Sequence, residues 1–155
     1  MSITIEQVCK RWSDPFSRPL FKGCLISDYG CCCAQGDVLR LSGYTDNQLR
    51  RLPQSVADAQ VAKILGISRS HAVLLRIVND CRDGCPQNAL MHPEKIVGSE
   101  WPTLKKFWCH LDRMTGDDWK KVVAARTAAK EAAGTAAWTM PRAGATSAVK
   151  AMRAL

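Results

Sequence analysis

The sequence lacks the short motifs on which many catalytic sites depend, and it is poor in histidine. It contains no glycine-rich phosphate loop, no HExxH zinc helix and no GxSxG nucleophile turn. Its three histidines lie in unrelated sequence contexts, which leaves few side chains that exchange protons near neutral pH. We therefore expect a protein that is not an enzyme.

Long apolar runs are missing as well. A membrane-spanning helix needs about 20 predominantly apolar residues, and no stretch of the sequence supplies them. The first residues also lack the basic and then apolar order of a secretory signal. These absences predict no membrane partner and synthesis in the cytoplasm.

The composition is that of a folded domain with a basic surface. The chain has 155 residues, of which 46% are hydrophobic and 23% are charged, which is enough for one hydrophobic core. Its formal net charge of +8 favours anionic partners, most simply nucleic acid. The same charge spread evenly over a surface would only aid solubility.

Cysteine is abundant, with eight residues. In a cytoplasmic protein this count leaves three interpretations open, namely buried free thiols, a metal site, or disulfides formed later in an oxidising setting. The weak candidates for a zinc site are two closely spaced pairs, Cys31 with Cys33 and Cys81 with Cys85. Their spacing departs from the usual C-x2-C motifs, so we expect buried thiols and no cofactor.

Periodicity and capping predict an all-α, compact domain of about seven to nine helices. Four capping-box patterns mark helix starts, each a hydroxyl side chain followed three residues later by an acid or an amide. They are Thr4 with Gln7, Thr45 with Gln48, Ser55 with Asp58, and Thr115 with Asp118. We expect the core to be a helical hairpin at 55–78 packed on an amphipathic helix at 101–114.

The segment 55–78 resembles the helix-turn-helix class of DNA-binding modules. It has a small Ala62, a turn glycine at Gly66 and a capping hydroxyl at Ser68, at the spacing of that class. The resemblance implies that the helix at 68–76 enters the major groove. The base-reading residues would be Ser68, Arg69, Ser70 and His71, with Arg76 or Lys63 near phosphates. The many apolar residues of this second helix favour a buried helical corner instead.

Basic residues are concentrated around this segment. Between residues 46 and 82 the chain has six cations against three acids. The cations are Arg50, Arg51, Lys63, Arg69, Arg76 and Arg82. This local bias supports nucleic-acid binding, and it is equally typical of a solvated helical surface.

The last predicted helix changes composition after residue 123. A double alanine recurs every fourth residue, which turns a helix by about 400°, so the stripe winds around the helix by about 40° per repeat. Its contact residues are Ala124, Ala128, Ala132 and Ala136, followed by Trp138. Alanine lets another backbone approach closely, and tryptophan is a frequent contact anchor. We therefore predict a helical core domain at 1–123 and a contact helix with a basic tail at 124–155.

A looser resemblance covers residues 61–138. The segments VAKILGISRSHAVLLRIVND, DGCPQ, PEKIVG and FWCHLDRMT, followed by the alanine and tryptophan tract, look like small uncharacterised proteins of tailed bacteriophages. This resemblance implies a phage origin and no catalytic role. We expect a virion-associated structural protein, made in the host cytoplasm and held by helix contacts with other phage structural proteins or with itself. The alternative is a DNA binder acting through the helix at 68–76, aided by Arg50 and Arg51.

Overall fold

The computed structural model describes residues 3–17, 19–81 and 85–139, with side chains in the last helix described as far as residue 132. The chain divides into two compact units, Met1–Arg113 and Met114–Leu155. Within the described ranges it has nine helices and no strand, which confirms the predicted all-α class. The expected boundary after residue 123 falls inside the last helix, because the change in composition there does not interrupt the helix.

The described part of the first unit contains eight helices. They are α1 (Ile5–Ser13), α2 (Ala34–Leu41), α3 (Asp46–Arg51), α4 (Gln54–Leu65), α5 (Arg69–Asp80), α6 (Pro86–Met91), α7 (Glu94–Val97) and α8 (Trp101–Arg113). The predicted capping boxes at the starts of α1 and α3 are confirmed. Thr4 and Thr45 each accept from a backbone N–H in the first turn, and a glutamine side chain accepts from the capping residue in return.

The core of this unit is built around α2. Every residue from 32 to 39 is buried, and Val38 and Leu39 are fully covered. Gly36 permits this placement, because a Cβ at that position would lie 1.9 Å from the Leu25 carbonyl oxygen. The chain before α2 folds back through an isolated antiparallel bridge between Ile26 and Cys32. The helix therefore packs directly on backbone.

The predicted hairpin is confirmed as part of the core. α4 ends at Gly66, whose φ of 66° lies in the left-handed region that suits glycine. Ser68 then caps α5 by accepting from the His71 N–H. α4 and α5 pack on each other and on α2. Their buried apolar residues are Ala57, Val61, Ala62, Leu65, Ala72, Leu75 and Val78.

A buried polar network joins α2 to α4 and α5. The Gln35 side-chain amide donates to Asp58 Oδ1 at 2.8 Å and to the Ala72 carbonyl oxygen at 2.9 Å. The Gln54 amide donates to Gln35 Oε1 at 2.6 Å and to Asp58 Oδ1 at 3.2 Å. Arg76 Nε lies 3.5 Å from Asp58 Oδ1. Gln35 and Asp58 are tolerated in the interior because these contacts replace their hydrogen bonds to water.

One prediction about this unit is wrong, and another holds only in part. Ser55 and Asp58 form no capping box, because α4 begins at Gln54 behind Pro53 and Asp58 joins the buried network instead. The predicted amphipathic helix, α8, packs on α5 as expected, but none of its residues is buried and Phe107 on it is 54% exposed. The periodicity of α8 indicates an amphipathic helix, but the rest of the unit covers its apolar side only in part.

The described part of the second unit is one long helix, α9 (Gly116–Thr139). Its predicted capping box is confirmed, since the Thr115 N–H donates to the Asp118 carboxylate at 3.0 Å and the Asp118 N–H donates to Thr115 Oγ1 at 3.3 Å. From residue 119 to residue 132 every side chain is exposed. No helix in the described ranges combines the length and the apolarity that crossing a bilayer requires.

Candidate functional site

Two of the predicted base-reading side chains, those of Ser68 and His71, lie inside the first unit. The Ser68 hydroxyl accepts from the His71 N–H at 3.1 Å, and both residues are buried. His71 Nε2 bonds to the carbonyl oxygen of Ala89, so this nitrogen carries the proton. Because both side chains are occupied in the interior, neither is presented to a DNA groove.

The other two predicted readers, Arg69 and Ser70, lie nearer the surface. Arg69 is exposed and Ser70 is half-buried. The Arg69 backbone N–H donates to Asp112 Oδ2 of α8 at 2.8 Å. A carboxylate therefore occupies the positive end of α5, where the predicted base-reading residues would meet DNA. This contact disfavours an approach of DNA to the start of α5.

Two of the six cations around the predicted DNA-binding segment are paired with acids. Arg76 lies beside the buried Asp58, and Arg50 Nη1 is 3.2 Å from Asp28 Oδ1. Asp28 is exposed, so the Arg50 pair contributes little to stability. Of the other four, Arg51, Lys63 and Arg69 are exposed, and Arg82 lies outside the described residues.

A cavity of about 550 Å³ opens beside the start of α5, within the first unit. Its wall includes His71 and Trp101, whose rings meet edge to face with centroids 4.9 Å apart. Burial lowers the pKa of His71 below its ordinary value, so the imidazole is neutral at pH 7. Glu94 and Lys105 also line the cavity. Because the wall carries both signs of charge, it selects neither an anionic nor a cationic ligand.

The eight cysteines are free thiols. Cys33 caps α2 through a contact of its sulfur with the Gly36 N–H, and burial raises its pKa to about 11. Of the other zinc candidates, Cys31 is half-buried and Cys81 and Cys85 are exposed. In the part of the chain that the structure describes, no three histidine, cysteine or acidic side chains lie together as a metal site. The four candidates are not assembled into one there.

The second unit presents an apolar face on α9. Trp119 and Val122 are each 46% exposed, and Val123 is 62% exposed. Their three-and-four spacing places them on one side of the helix. Large apolar side chains grouped in this way are typical of a surface that meets another molecule.

The predicted alanine contacts lie along the same helix. Ala124, Ala128 and Ala132 are exposed. The side chains of Ala136 and Trp138 lie outside those that the structure describes. At about 100° per residue, Ala128 falls about 180° around the helix from Trp119. From Ala124 to Ala132 the predicted stripe therefore lies on the other side of α9 from Trp119, and it winds towards the side of Val122 by Ala136.

Sequence reasoning missed two features of these sites. Asp112 is 43 residues from Arg69 along the chain, so no local pattern could connect them. The spacing of Trp119, Val122 and Val123 indicates an apolar side of α9, but it does not show that this side is exposed. No protein-family model, curated protein or solved structure matches this chain.

Proposed function

We propose that this chain is a non-enzymatic structural or assembly protein of a tailed-bacteriophage particle, held there by contacts of α9. The observation that carries the proposal is the exposed face formed by Trp119, Val122 and Val123. Complete burial of a large apolar side chain contributes about 1.5–3 kcal/mol. These three are about half-exposed or more, so covering them would give a part of that for each residue. A protein neighbour on this face would therefore stabilise an assembly.

The phage assignment is supported by the resemblance over residues 61–138, and the structural role by the form of α9. A helix of 24 residues spans about 36 Å, which is long enough to reach across a neighbouring subunit. The chain would be made in the host cytoplasm and carried into the virion. Its partners would be other phage structural proteins or another copy of itself.

A DNA-binding role through α5 is the second candidate. The net charge of +8 and the exposed Arg69 favour it. The buried Ser68 and His71 and the carboxylate of Asp112 at the helix start disfavour it, because a groove-inserted helix must offer free polar side chains and a carboxylate repels the phosphate backbone. We therefore rank this role below assembly.

The assembly proposal is tested by the protein content of purified particles. Particles of the phage that encodes the chain are washed in high salt, emptied of DNA and analysed by quantitative mass spectrometry. We expect the chain to remain at a constant ratio to the major capsid protein. Its loss together with the DNA, or its absence before emptying, would contradict the proposal.

The rival role is tested by titrating purified protein into labelled duplex DNA. A DNA reader would bind with an affinity that falls steeply with salt, and Arg69→Ala would abolish the binding. Lys10→Ala is the matched control, because it removes an exposed cation of α1 that is not among the predicted DNA-contacting residues. We expect weak binding that both substitutions change equally.

A further inference from the structure

The sequence of α9 contains a continuous seam suited to pairing with another helix. Positions spaced alternately three and four residues apart follow the line along which two helices wind around each other. Counted from the first tryptophan of α9, these positions are Trp119, Val122, Arg126, Ala129, Ala133 and Ala136. The first four of these six residues are exposed.

The seam is graded in size along the helix. Its amino-terminal half has the large residues Trp119, Val122 and Arg126, whereas its carboxyl-terminal half has only alanine. Close packing between helices needs a large residue on one helix opposite a small one on the other. The two halves of this seam are therefore complementary to each other.

We propose that α9 pairs with the α9 of a second copy of this chain, in antiparallel orientation and over the full length of the helix. This inference rests on the proposed function, because it names the partner of the same helix. It goes beyond that function by fixing the partner, the orientation and the register.

Full overlap sets the register of the pair. When Gly116–Thr139 of one copy lies along the same residues of the other, the two-fold axis passes between residues 127 and 128. Trp119 then faces the partner's Ala136, and Val122 faces the partner's Ala133. Arg126 faces the partner's Ala129, where its long side chain has room to reach solvent. Every large position meets a small one.

A parallel pair of the same helices would be poorly matched. Trp119 would face the partner's Trp119, and Arg126 would face the partner's Arg126, which brings two like charges together in the seam. In the carboxyl-terminal half, alanine would face alanine. The larger residues of the amino-terminal half would hold the helices too far apart for these alanines to touch. The match of large with small residues therefore favours the antiparallel orientation.

The positions beside the seam fit the same arrangement. Val123 borders the seam and is 62% exposed. In an antiparallel pair the corresponding flanking positions of the two helices face each other, which brings Val123 next to the partner's Lys130. The methylene stem of a lysine covers apolar surface while its ammonium group stays in water. The flank adds apolar contact without opposing like charges.

Sedimentation equilibrium of the full chain tests the proposal. A single pair of helices is a small interface, so we expect self-association with a dissociation constant in the micromolar range. The mass should rise from 17.1 kDa towards twice that value with concentration. Trp119→Ala, which empties the largest contact, should weaken association by about tenfold or more. Ala136→Trp should also weaken it, because large groups then meet at both ends of the pair.

The double substitution of Trp119→Ala with Ala136→Trp decides the register. It exchanges the large and small positions, so it should restore association to within about threefold of the original chain. Lys121→Ala is the control and should change nothing, because residue 121 lies about 200° around the helix from residue 119. Far-UV circular dichroism establishes that each variant keeps its helix content.

A chain that stays monomeric at every concentration overturns the inference, and so does a double variant that is no better than the single ones. The failure of the proposed function is a separate result. A monomeric chain that is still retained in emptied particles removes the self-pairing and leaves the assembly role. A dimeric chain that is missing from particles leaves the pairing and removes the assembly role.

Discussion

Replacing Gly36 with alanine would push a methyl group into the backbone on which α2 packs. A Cβ at this position would lie 1.9 Å from the Leu25 carbonyl oxygen, 2.9 Å from the Leu25 carbonyl carbon and 3.3 Å from Cys32 Cβ. The shortest of these distances is about 1 Å inside the closest approach that real Cβ atoms make. Because the two nearest atoms belong to the backbone, rotation of a side chain cannot relieve the overlap.

The expected loss of stability follows from three contributions. Overpacking of a filled core costs about 1–3 kcal/mol, and a clash with backbone belongs at the upper end. The same Leu25 oxygen accepts from the Cys33 N–H at 3.2 Å, and losing that bond costs about 1 kcal/mol. Alanine favours the helix by up to about 1 kcal/mol over glycine, which offsets part of the cost. We therefore expect Gly36→Ala to lower the free energy of unfolding by about 3 kcal/mol.

Urea unfolding of the full chain, followed by circular dichroism, measures this difference. Gly116→Ala is the matched control, because a Cβ at Gly116 meets nothing within 4 Å. We expect the control to leave the unfolding of the core unchanged within about 1 kcal/mol. A Gly36→Ala variant as stable as the original chain would refute the close packing of α2 on residue 25.

Three further predictions concern the interior of the first unit. Asp58→Ala should lower the free energy of unfolding by about 3 kcal/mol in the same urea assay, because Gln35, Gln54 and Arg76 lose a shared partner, whereas Asp58→Asn should cost less. Because burial lowers the pKa of His71, the unfolded chain binds the extra proton first, so stability should fall as pH drops below about 6.5. His71→Gln should flatten that slope between pH 5 and 7. A thiol reagent at pH 7 should label three exposed cysteines of the native chain quickly. It should label two buried cysteines slowly, because burial raises their pKa to about 11. Equal labelling rates would contradict this difference in burial. The fast sites are Cys24, Cys81 and Cys85, and the slow sites are Cys9 and Cys33.

The sequence predicts best those features that a few neighbouring residues determine. Gly66 ends α4 and Ser68 begins α5 as expected, because a left-handed cap and a hydroxyl cap are local conformations. The same holds for the capping boxes begun by Thr4, Thr45 and Thr115. Local chemistry fails at Ser55, where the interior competes for Asp58 and the helix begins at an earlier residue.

Features that depend on distant residues could not be predicted from the sequence. The central position of α2 was missed because Gln35 and Asp37 look like surface residues until their partners are known. Asp37 is buried beside Arg11 Nε at 3.1 Å and Trp12 Nε1 at 2.9 Å, both on α1. The apolar spacing of α8 shows that it has an apolar side but not how much of that side the protein covers.

We propose that the exposed face of α9 holds the chain in its assembly, and incorporation of variants into particles is the decisive measurement. Particles are produced in host cells that supply either the original chain, Trp119→Asp or Lys121→Ala, and the bound chain is quantified after sedimentation. We predict that the original chain and Lys121→Ala sediment with the particles. The amount of Trp119→Asp that sediments should be at least about tenfold lower, because a buried unpaired carboxylate opposes the contact. Incorporation of Trp119→Asp equal to that of the original chain would contradict this role of α9.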